Sequence, residues 1–334
     1  MFIIENYSLA VVFCLITMLC WGSWANTQKM AAKTWRFELF YWDYVIGILL
    51  FSIFSAFTIG SFGHQGRDFL TDIKQADYSN IVSALVGGVI FNAANILLSA
   101  AIAIAGMSVA FPLAIGLALV LGVLINYTSS QKGDPFFLIV GVAFIVVAIF
   151  LNAVAYKRKS LGEQKKVSAK GILICITAGL LMAFFYRFIA ASMDLDHFAS
   201  PAAGKMTPYT AVFIFSVGIF LSNFVFNTIL IRKPIVGEPT SYKAYFLGSF
   251  STHLTGVLGG LIWGLGNSLN LIAAGKAGPA ISYGLGQGAT LIAALWGVFI
   301  WKEFRNSPKG TNSLLVAMFC FFITGLVLLV FAGA

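Results

Sequence analysis

The sequence has very little charge for its length. Only 10% of its 334 residues are Asp, Glu, Lys or Arg, and 59% are hydrophobic. A soluble domain is about 25% charged and roughly 45–50% apolar. A chain this apolar cannot keep its non-polar surface from water, so we exclude a soluble protein and expect the lipid bilayer to be its solvent.

The residues of common catalytic and metal sites are also scarce. The chain has three histidines and four cysteines, and the cysteines show no metal-ligand spacing, which predicts buried free thiols. The stretch Gly284-x-Gly286-x-Gly288 is not a phosphate loop, because no strand precedes it and no Lys-Ser/Thr pair follows it. No Ser/His, paired-carboxylate or metal-ligand set occurs at membrane depth. We therefore predict no enzyme activity, no metal and no bound cofactor.

Long apolar runs are what the sequence has instead. A membrane-spanning helix needs about 20 mostly apolar residues. The segments that meet this length are 8–29, 38–60, 81–103, 106–127, 135–155, 170–190, 209–231, 249–273, 279–301 and 311–332. The connections between them are too short to hold a further folded domain. The predicted fold class is an all-α integral membrane protein with ten transmembrane helices.

One stretch of the sequence occurs twice. Residues 87–95 return as 259–267, an offset of 172 residues, and both copies end in an asparagine, Asn95 and Asn267. The same offset relates several glycines, namely Gly87 to Gly259, Gly88 to Gly260 and Gly106 to Gly278. A duplicated membrane unit with small residues at helix faces and a polar centre is typical of secondary transporters.

The duplication divides the chain into two halves of five helices. We predict a first repeat over 1–155, a short basic cytoplasmic linker over 156–169 and a second repeat over 170–334. Because five is an odd number, the second repeat must cross the membrane in the opposite sense to the first. Inverted repeats are related by a pseudo-two-fold axis in the membrane plane, and they hold their site near the midplane. Asn95 and Asn267 should then face each other there.

The basic residues predict the orientation. The connections after the first, fifth, seventh and ninth spans hold 15 of the Lys and Arg residues, and the opposite side holds six. Basic loops stay in the cytoplasm, so both termini should lie outside a cell inner (plasma) membrane. This placement also explains the net charge of +9, because basic residues beside apolar runs contact anionic lipid headgroups. We therefore expect no nucleic-acid partner.

Few ionisable residues lie within the predicted spans, and each is a candidate functional residue because charge in hydrocarbon is costly. Asp43 is either a proton-coupling carboxylate or a helix-end carboxylate beside an aromatic belt. Arg187 either binds a carbonyl-rich solute or extends to the headgroups. His253 either relays protons or makes a structural hydrogen bond, and Glu303 should pair with a neighbouring basic residue.

Amide and aromatic side chains lie near the middle of several spans. Gln287 lies in an apolar run with Tyr283 four residues before it, and Trp263 precedes Asn267 by four residues on the same helix face. Amides supply donors and acceptors and rings cover flat faces, so this set suits a planar neutral solute. The alternative is hydrogen bonding between helices. The remaining candidates are Trp24, Asn26 and Pro112, the last of which should kink the fourth span.

Several short motifs follow one another in order along nearly the whole chain. They are Tyr41-x-Asp43-Tyr44, Ala56-Phe57-Thr58-x-Gly60, Asn126-Tyr127, Tyr209-Thr210-Ala211, Gly266-Asn267 and Trp296-Gly297. In their order and spacing the chain resembles the ureide permease family, which belongs to the drug/metabolite transporter superfamily. It is similar, more distantly, to the glucose/ribose porters, which share the pattern over 260–267.

The resemblance implies ten helices and proton-coupled uptake of allantoin-like ureides or of oxo-nucleobases such as uracil and xanthine. Two departures from the family matter. Plant members have a long cytosolic insert with a phosphate-loop-like motif, whereas the connection here is only 156–169, so no nucleotide role is carried over. The acidic residue that plant members have near the position of Ser282 or Tyr283 is absent, so an identical choice of solute is not implied.

The leading hypothesis is therefore a secondary active transporter for a small neutral polar solute, driven by the proton motive force. Its solute-binding candidates are Trp24, Asn95, Trp263, Asn267, Tyr283 and Gln287. Asp43 is the proton-coupling candidate, and the gating or secondary candidates are Asn26, Pro112, Arg187 and His253. The alternatives are a sugar porter on the same fold and a broad-specificity metabolite or drug exporter. The expected partners are the solute and membrane lipids, and assembly as a homodimer stays open.

Overall fold

The computed structural model of the protein describes residues 1–32, 35–63, 65–105, 107–160, 168–235, 237–305 and 307–334. Gly106 and residues 161–167 of the predicted linker lie outside the described residues. Within the described ranges, ten helices are long and apolar enough to cross a membrane: α1 Tyr7–Ala31, α2 Phe37–Phe57, α3 Tyr78–Ala105, α4 Phe111–Ser130, α5 Pro135–Lys159, α6 Ala169–Ala191, α7 Pro208–Arg232, α8 Phe250–Ala277, α9 Pro279–Ile300 and α10 Thr311–Phe331. The predicted all-α membrane fold is confirmed.

Several helix contacts occur twice, the second time with the two halves of the chain exchanged. Helix α3 packs against α6 and α7, and helix α8, five helices later, packs against α1 and α2. In the same way α4 packs against α6 and α9 against α1. The pairs α2 with α7, α4 with α9 and α5 with α10 each join a helix to its own counterpart. The division into two inverted five-helix repeats, with bounds 1–155 and 170–334, stays a prediction.

The repeated glycines allow two helix crossings in which backbones touch. A Cβ atom on Gly88 would lie 2.1 Å from the carbonyl oxygen of Phe215 in α7. A Cβ atom on Gly260, the repeat-related residue, would lie 2.0 Å from the carbonyl oxygen of Tyr44 in α2. The α3–α7 and α8–α2 crossings are thus equivalent, and each has room only for glycine.

Several spanning helices contain breaks or π-helical turns. A turn at Trp24 divides α1, and Gly288 separates two segments of α9. Helix α4 begins with a π-helical turn, Phe111–Ile115, and α9 ends with another, Trp296–Ile300. Pro112 lies in the first of these turns, where the missing N–H of proline removes a helical hydrogen bond. Pro112 thus lies in an irregular turn, and the kink predicted for α4 stays a prediction.

The two ends of the bundle differ in character. The end at which α1, α3, α5, α7 and α9 finish is called the basic end below, because it carries most of the Lys and Arg residues. At the opposite end, the buried carboxylate of Asp72 accepts hydrogen bonds from Arg67 Nε and from the Thr207 backbone N–H, both at 2.8 Å. Arg67 also donates to the carbonyl oxygens of Pro201 and Lys205. This network ties the α2–α3 connection to the α6–α7 connection.

Candidate functional site

A small cavity lies at the centre of the bundle, and we call it the central cavity. Its volume is about 20 Å³, enough for about one water molecule. It is lined by Trp21, Trp24, Phe91, Asn95, Leu98, Phe111, Ile115, Met182, Phe185, Trp263, Gln287 and Ala289, which come from α1, α3, α4, α6, α8 and α9. The structure thus brings together Trp24, Asn95, Trp263 and Gln287 from the predicted solute-binding set.

Six of the twelve residues that line the cavity are aromatic. Trp21 and Trp263 stack with their ring planes 7° apart and their centroids 5.7 Å apart. Phe91 lies 4.2 Å from Trp263 and 5.1 Å from Phe185, again between ring centroids. Flat faces of this kind cover a planar solute well.

Amide groups supply the polar part of the cavity wall. Asn95 Nδ2 lies 3.4 Å from the Tyr41 hydroxyl and donates to it, and that hydroxyl donates to Asn92 Oδ1 at 3.0 Å. Asn92 in turn donates to Ser222 in α7. Gln287 lines the opposite side, at the last residue before the break at Gly288. Tyr41 and Asn92 fix the orientation of Asn95, but the sequence named Tyr41 only within a family motif and gave Asn92 no role.

Two of the predicted solute-binding residues do not line the central cavity. The Tyr283 hydroxyl donates to the carbonyl oxygens of Ala118 at 3.2 Å and Met182 at 3.0 Å, and its ring occupies the space beside Gly122. Tyr283 therefore holds α4, α6 and α9 together. Asn267 is buried outside the cavity-lining set, and its Oδ1 has no hydrogen-bond partner among the described residues. Of the repeated asparagines, it is Asn95 that reaches the cavity.

A polar cluster lies closer to the basic end, and it joins two residues that the sequence treated separately. The buried carboxylate of Asp43 accepts a hydrogen bond from the Tyr245 hydroxyl at 2.6 Å. His253 Nδ1 lies 2.9 and 3.0 Å from the two oxygens of the same carboxylate. Trp35 covers the histidine edge-on, with centroids 5.2 Å apart. Burial raises the pKa of Tyr245, and its hydrogen bond to Asp43 raises that pKa further, so the phenol stays a donor.

Side-chain bonds also join α1 to the end of α9. Lys29 pairs with Glu303 at 2.9 Å, and its ammonium lies 4.2 Å from the centroid of the Trp301 ring. Trp301 Nε1 donates to Asn26 Oδ1 at 2.7 Å. Lys29 is thus the basic partner predicted for Glu303, and the gating candidate Asn26 lies in this link rather than at the central cavity.

Arg187 does not line the central cavity. It is exposed and lines a groove of about 750 Å³ at the opposite end of the bundle, together with Lys132, Asp194, Asp196 and Lys205. This position fits the interpretation that Arg187 extends towards the headgroups.

A larger cavity opens at the basic end, and we call it the vestibule. Its volume is about 550 Å³. It is lined by Gln28, Lys29, Ala32, Trp35, Arg36, Phe37, Glu38, Ile102, Ala103, Ile104 and Glu303. The structure therefore has a wide opening at the basic end and a narrow centre.

The sequence model of one known protein family, described as Ureide permease, matches residues 40–171 and 157–332, which is most of the chain. The chain belongs to the ureide permease family. Members of this family are transporters and not enzymes, so the multi-pass membrane fold and the central cavity belong to a transport protein that acts on a small-molecule substrate.

Individual relatives extend over nearly the whole ureide permease chain. Ureide permease 1 of Arabidopsis thaliana is 25% identical, covering 98% of each chain. Ureide permease 5 of the same plant is 26% identical over 98% of this chain and 95% of its own. The probable ureide permease A3 of Vigna unguiculata is 24% identical over 92% and 99%. A protein of known crystal structure matches with a TM-score of 0.62 at 16% identity, over 97% of this chain and 96% of that one, which shows the fold alone.

Proposed function

We propose that the protein is a proton-coupled importer of a small, neutral, planar solute of the ureide or oxo-nucleobase type. The observation that carries this proposal is the chemistry of the central cavity. Its described lining residues combine stacked aromatic rings with the amides of Asn95 and Gln287 and include no charged side chain. Such a wall matches the alternating N–H and C=O groups of a ureide. The names of the plant relatives support this solute class.

The helix interruptions supply a way to widen the central cavity. Trp24 and Gln287 line it, and each lies at or beside a break in its helix, at Trp24 itself and at Gly288. The π-helical turn Phe111–Ile115 contributes both of its end residues to the wall. Broken helices at the interface of two repeats are where transporters of this plan bind solute and alternate access.

Asp43 is the proposed proton site. Its carboxylate joins α2 to His253 in α8 and to Tyr245 in the short helix Tyr242–Phe246. Hydrogen bonds to an ionised carboxylate are about twice as strong as neutral ones. Protonation of Asp43 would weaken these bonds at the α2–α8 crossing and so favour movement of one repeat against the other. For import, the basic end faces the cytoplasm of a plasma-membrane protein and both termini lie outside.

Transport of radiolabelled allantoin and uracil into proteoliposomes tests the proposed function. With an inward proton gradient, at least one of the two solutes should accumulate above its external concentration, and a protonophore should abolish the accumulation. Liposomes without protein give the background. Uptake that proceeds equally well without the gradient would refute proton coupling, and no uptake of either solute would refute the solute class.

A sugar porter is the second candidate, because amides and an aromatic platform also suit a sugar. An excess of unlabelled glucose added to the uptake assay separates the two. We expect glucose to leave uracil uptake unchanged and unlabelled allantoin to reduce it. The exporter alternative is less favoured, because a cavity for cationic amines needs an acidic group, and none occurs among the described lining residues.

Replacing Gln287 with leucine tests the role of the cavity amides. The variant removes donors and an acceptor from the cavity wall at nearly constant volume. Loss of about 1.4 kcal/mol of hydrogen bonding raises the KM for uptake about tenfold. Asn223→Leu is the matched control, because Asn223 is a buried amide of α7 that has no partner among the described residues and does not line the cavity. An equal KM in Gln287→Leu and wild type would rule out a binding role for Gln287.

A further inference from the structure

We propose that the vestibule at the basic end is a second solute-binding site, distinct from the central cavity. It takes the same chemical class of solute, a neutral molecule with amide-type N–H and C=O groups. The proposal rests on the proposed function for the identity of the solute. Four properties of the vestibule support a bound solute: its size, its polar atoms, its charge balance and its position.

The vestibule is large enough for a small solute without any movement of helices. Its volume of about 550 Å³ lies within the range of roughly 300–1,000 Å³ that is usual for ligand sites. The central cavity, at about 20 Å³, has no such room in this conformation. A solute can therefore be held at the basic end while the centre is closed.

One wall of the vestibule carries a buried polar atom that lacks a partner. Gln28 is only 4% exposed, and its Nε2 donates to the Ser99 carbonyl oxygen at 3.0 Å. This bond fixes the amide group and leaves Oε1 with no hydrogen-bond partner in the described part of the chain. An unsatisfied buried acceptor costs roughly 1–3 kcal/mol. Oε1 is itself enclosed by protein, so a solute N–H reaches it only by displacing neighbouring atoms of the vestibule wall, of which Gln28 and the ring of Trp35 are part.

The charged residues of the vestibule cancel in pairs. Lys29 pairs with Glu303 at 2.9 Å, and Arg36 pairs with Glu38 at 2.8 Å. All four line the vestibule, so its described wall is polar but has no net charge. A wall of this kind favours a neutral dipolar solute over an organic anion such as a nucleotide, and over a cation.

The position of the vestibule places it on the route between the central cavity and the basic end. Gln28 binds the carbonyl group of Ser99, whose neighbour Leu98 lines the central cavity. Trp35 lines the vestibule and covers His253 of the Asp43 cluster. The Gln28–Ser99 contact separates a solute bound here from the central cavity, and the solute lies beside the proposed proton site. The vestibule is thus a staging site that the solute occupies before release.

Protection of a single cysteine tests the proposal. Ala103 is exposed and lines the vestibule, whereas Lys309 is exposed at the same end of the bundle but outside it. Ala103→Cys and Lys309→Cys are each made in a full-length protein whose four native cysteines are replaced by alanine. The purified proteins in nanodiscs are labelled with a polar maleimide, with and without allantoin. Allantoin should slow labelling at position 103 at least about threefold and leave position 309 unchanged.

A second substitution, added to the Ala103→Cys protein, separates local binding of allantoin from a conformational change that alters labelling. Gln28→Leu should abolish the protection at position 103, whereas Gln287→Leu in the central cavity should leave it. Gln28→Met serves if the leucine variant does not fold, as judged by gel filtration. The opposite pattern, with protection lost in Gln287→Leu alone, overturns the proposal. Absence of protection at saturating allantoin also overturns it, and uptake by the same preparation shows whether the proposed function still holds.

Discussion

Replacing Asp43 with asparagine should reduce gradient-driven accumulation by about 100-fold, which corresponds to roughly 2.7 kcal/mol. Asparagine has nearly the same shape but cannot bind and release a proton. The variant can still accept a hydrogen bond from Tyr245, so the α2–α8 crossing should keep its packing. Exchange of labelled for unlabelled solute across the membrane, which needs no net proton movement, should therefore continue in Asp43→Asn. Both rates are measured in the same proteoliposomes.

Glu38 provides the matched control for Asp43. It is also a buried carboxylate near the start of α2, and it pairs with Arg36 rather than with a histidine. Glu38→Gln should keep the dependence on the proton gradient, and any loss of uptake should appear equally without the gradient, because the substitution leaves Arg36 unpaired in the vestibule. His253→Gln keeps a hydrogen-bond donor beside Asp43, so it should retain coupling. Full accumulation by Asp43→Asn would show that the coupling proton binds elsewhere.

Replacing Gly260 with alanine should prevent α2 and α8 from packing normally. The added Cβ would lie 2.0 Å from the Tyr44 carbonyl oxygen and 2.8 Å from Gly47 Cα, and both are backbone atoms that cannot rotate away. Overpacking of this kind costs about 1–3 kcal/mol or more, which exceeds the gain of about 1 kcal/mol in helix propensity. A lower melting temperature and a smaller monodisperse fraction in detergent should follow.

Gly264 in the same helix is the control for that substitution. A Cβ there would lie 3.1 Å from Phe51 Cβ, a tight contact that a shift of a few tenths of an ångström relieves. Gly264→Ala should therefore melt near the wild-type temperature. Gly88→Ala should be as damaging as Gly260→Ala, because its added Cβ would lie 2.1 Å from the Phe215 carbonyl oxygen. Equal melting temperatures for Gly260→Ala and Gly264→Ala would contradict the contact between α2 and α8.

The spanning helices could be predicted from the sequence because the bilayer fixes their length. A segment in hydrocarbon must satisfy its own backbone hydrogen bonds, and about 20 apolar residues cross the membrane. The predicted span 311–332 and the observed helix Thr311–Phe331 differ by one residue for this reason. The glycine repeat was equally informative, since close helix crossings tolerate few other residues at those positions.

The partners of the polar residues could not be predicted in the same way. Asp43 and His253 are 210 residues apart in the sequence, and only the crossing of α2 with α8 brings them together. Spacing along a helix shows which residues share a face, but not whether that face meets a cavity or another helix. Tyr283 and Gln287 therefore looked equivalent, yet the structure places only Gln287 in the wall of the central cavity.

The narrowness of the central cavity has a kinetic consequence. A cavity of about 20 Å³ cannot admit a solute until helices separate, so only the fraction of protein molecules in a more open conformation can bind solute at the centre. The apparent affinity is then lower than the intrinsic affinity by that fraction. The rate of solute capture rises with solute concentration only until it equals the rate at which the helices open. Motions of this kind take microseconds to seconds. At saturating solute concentration, opening of the bundle, and not diffusion of the solute, then limits capture.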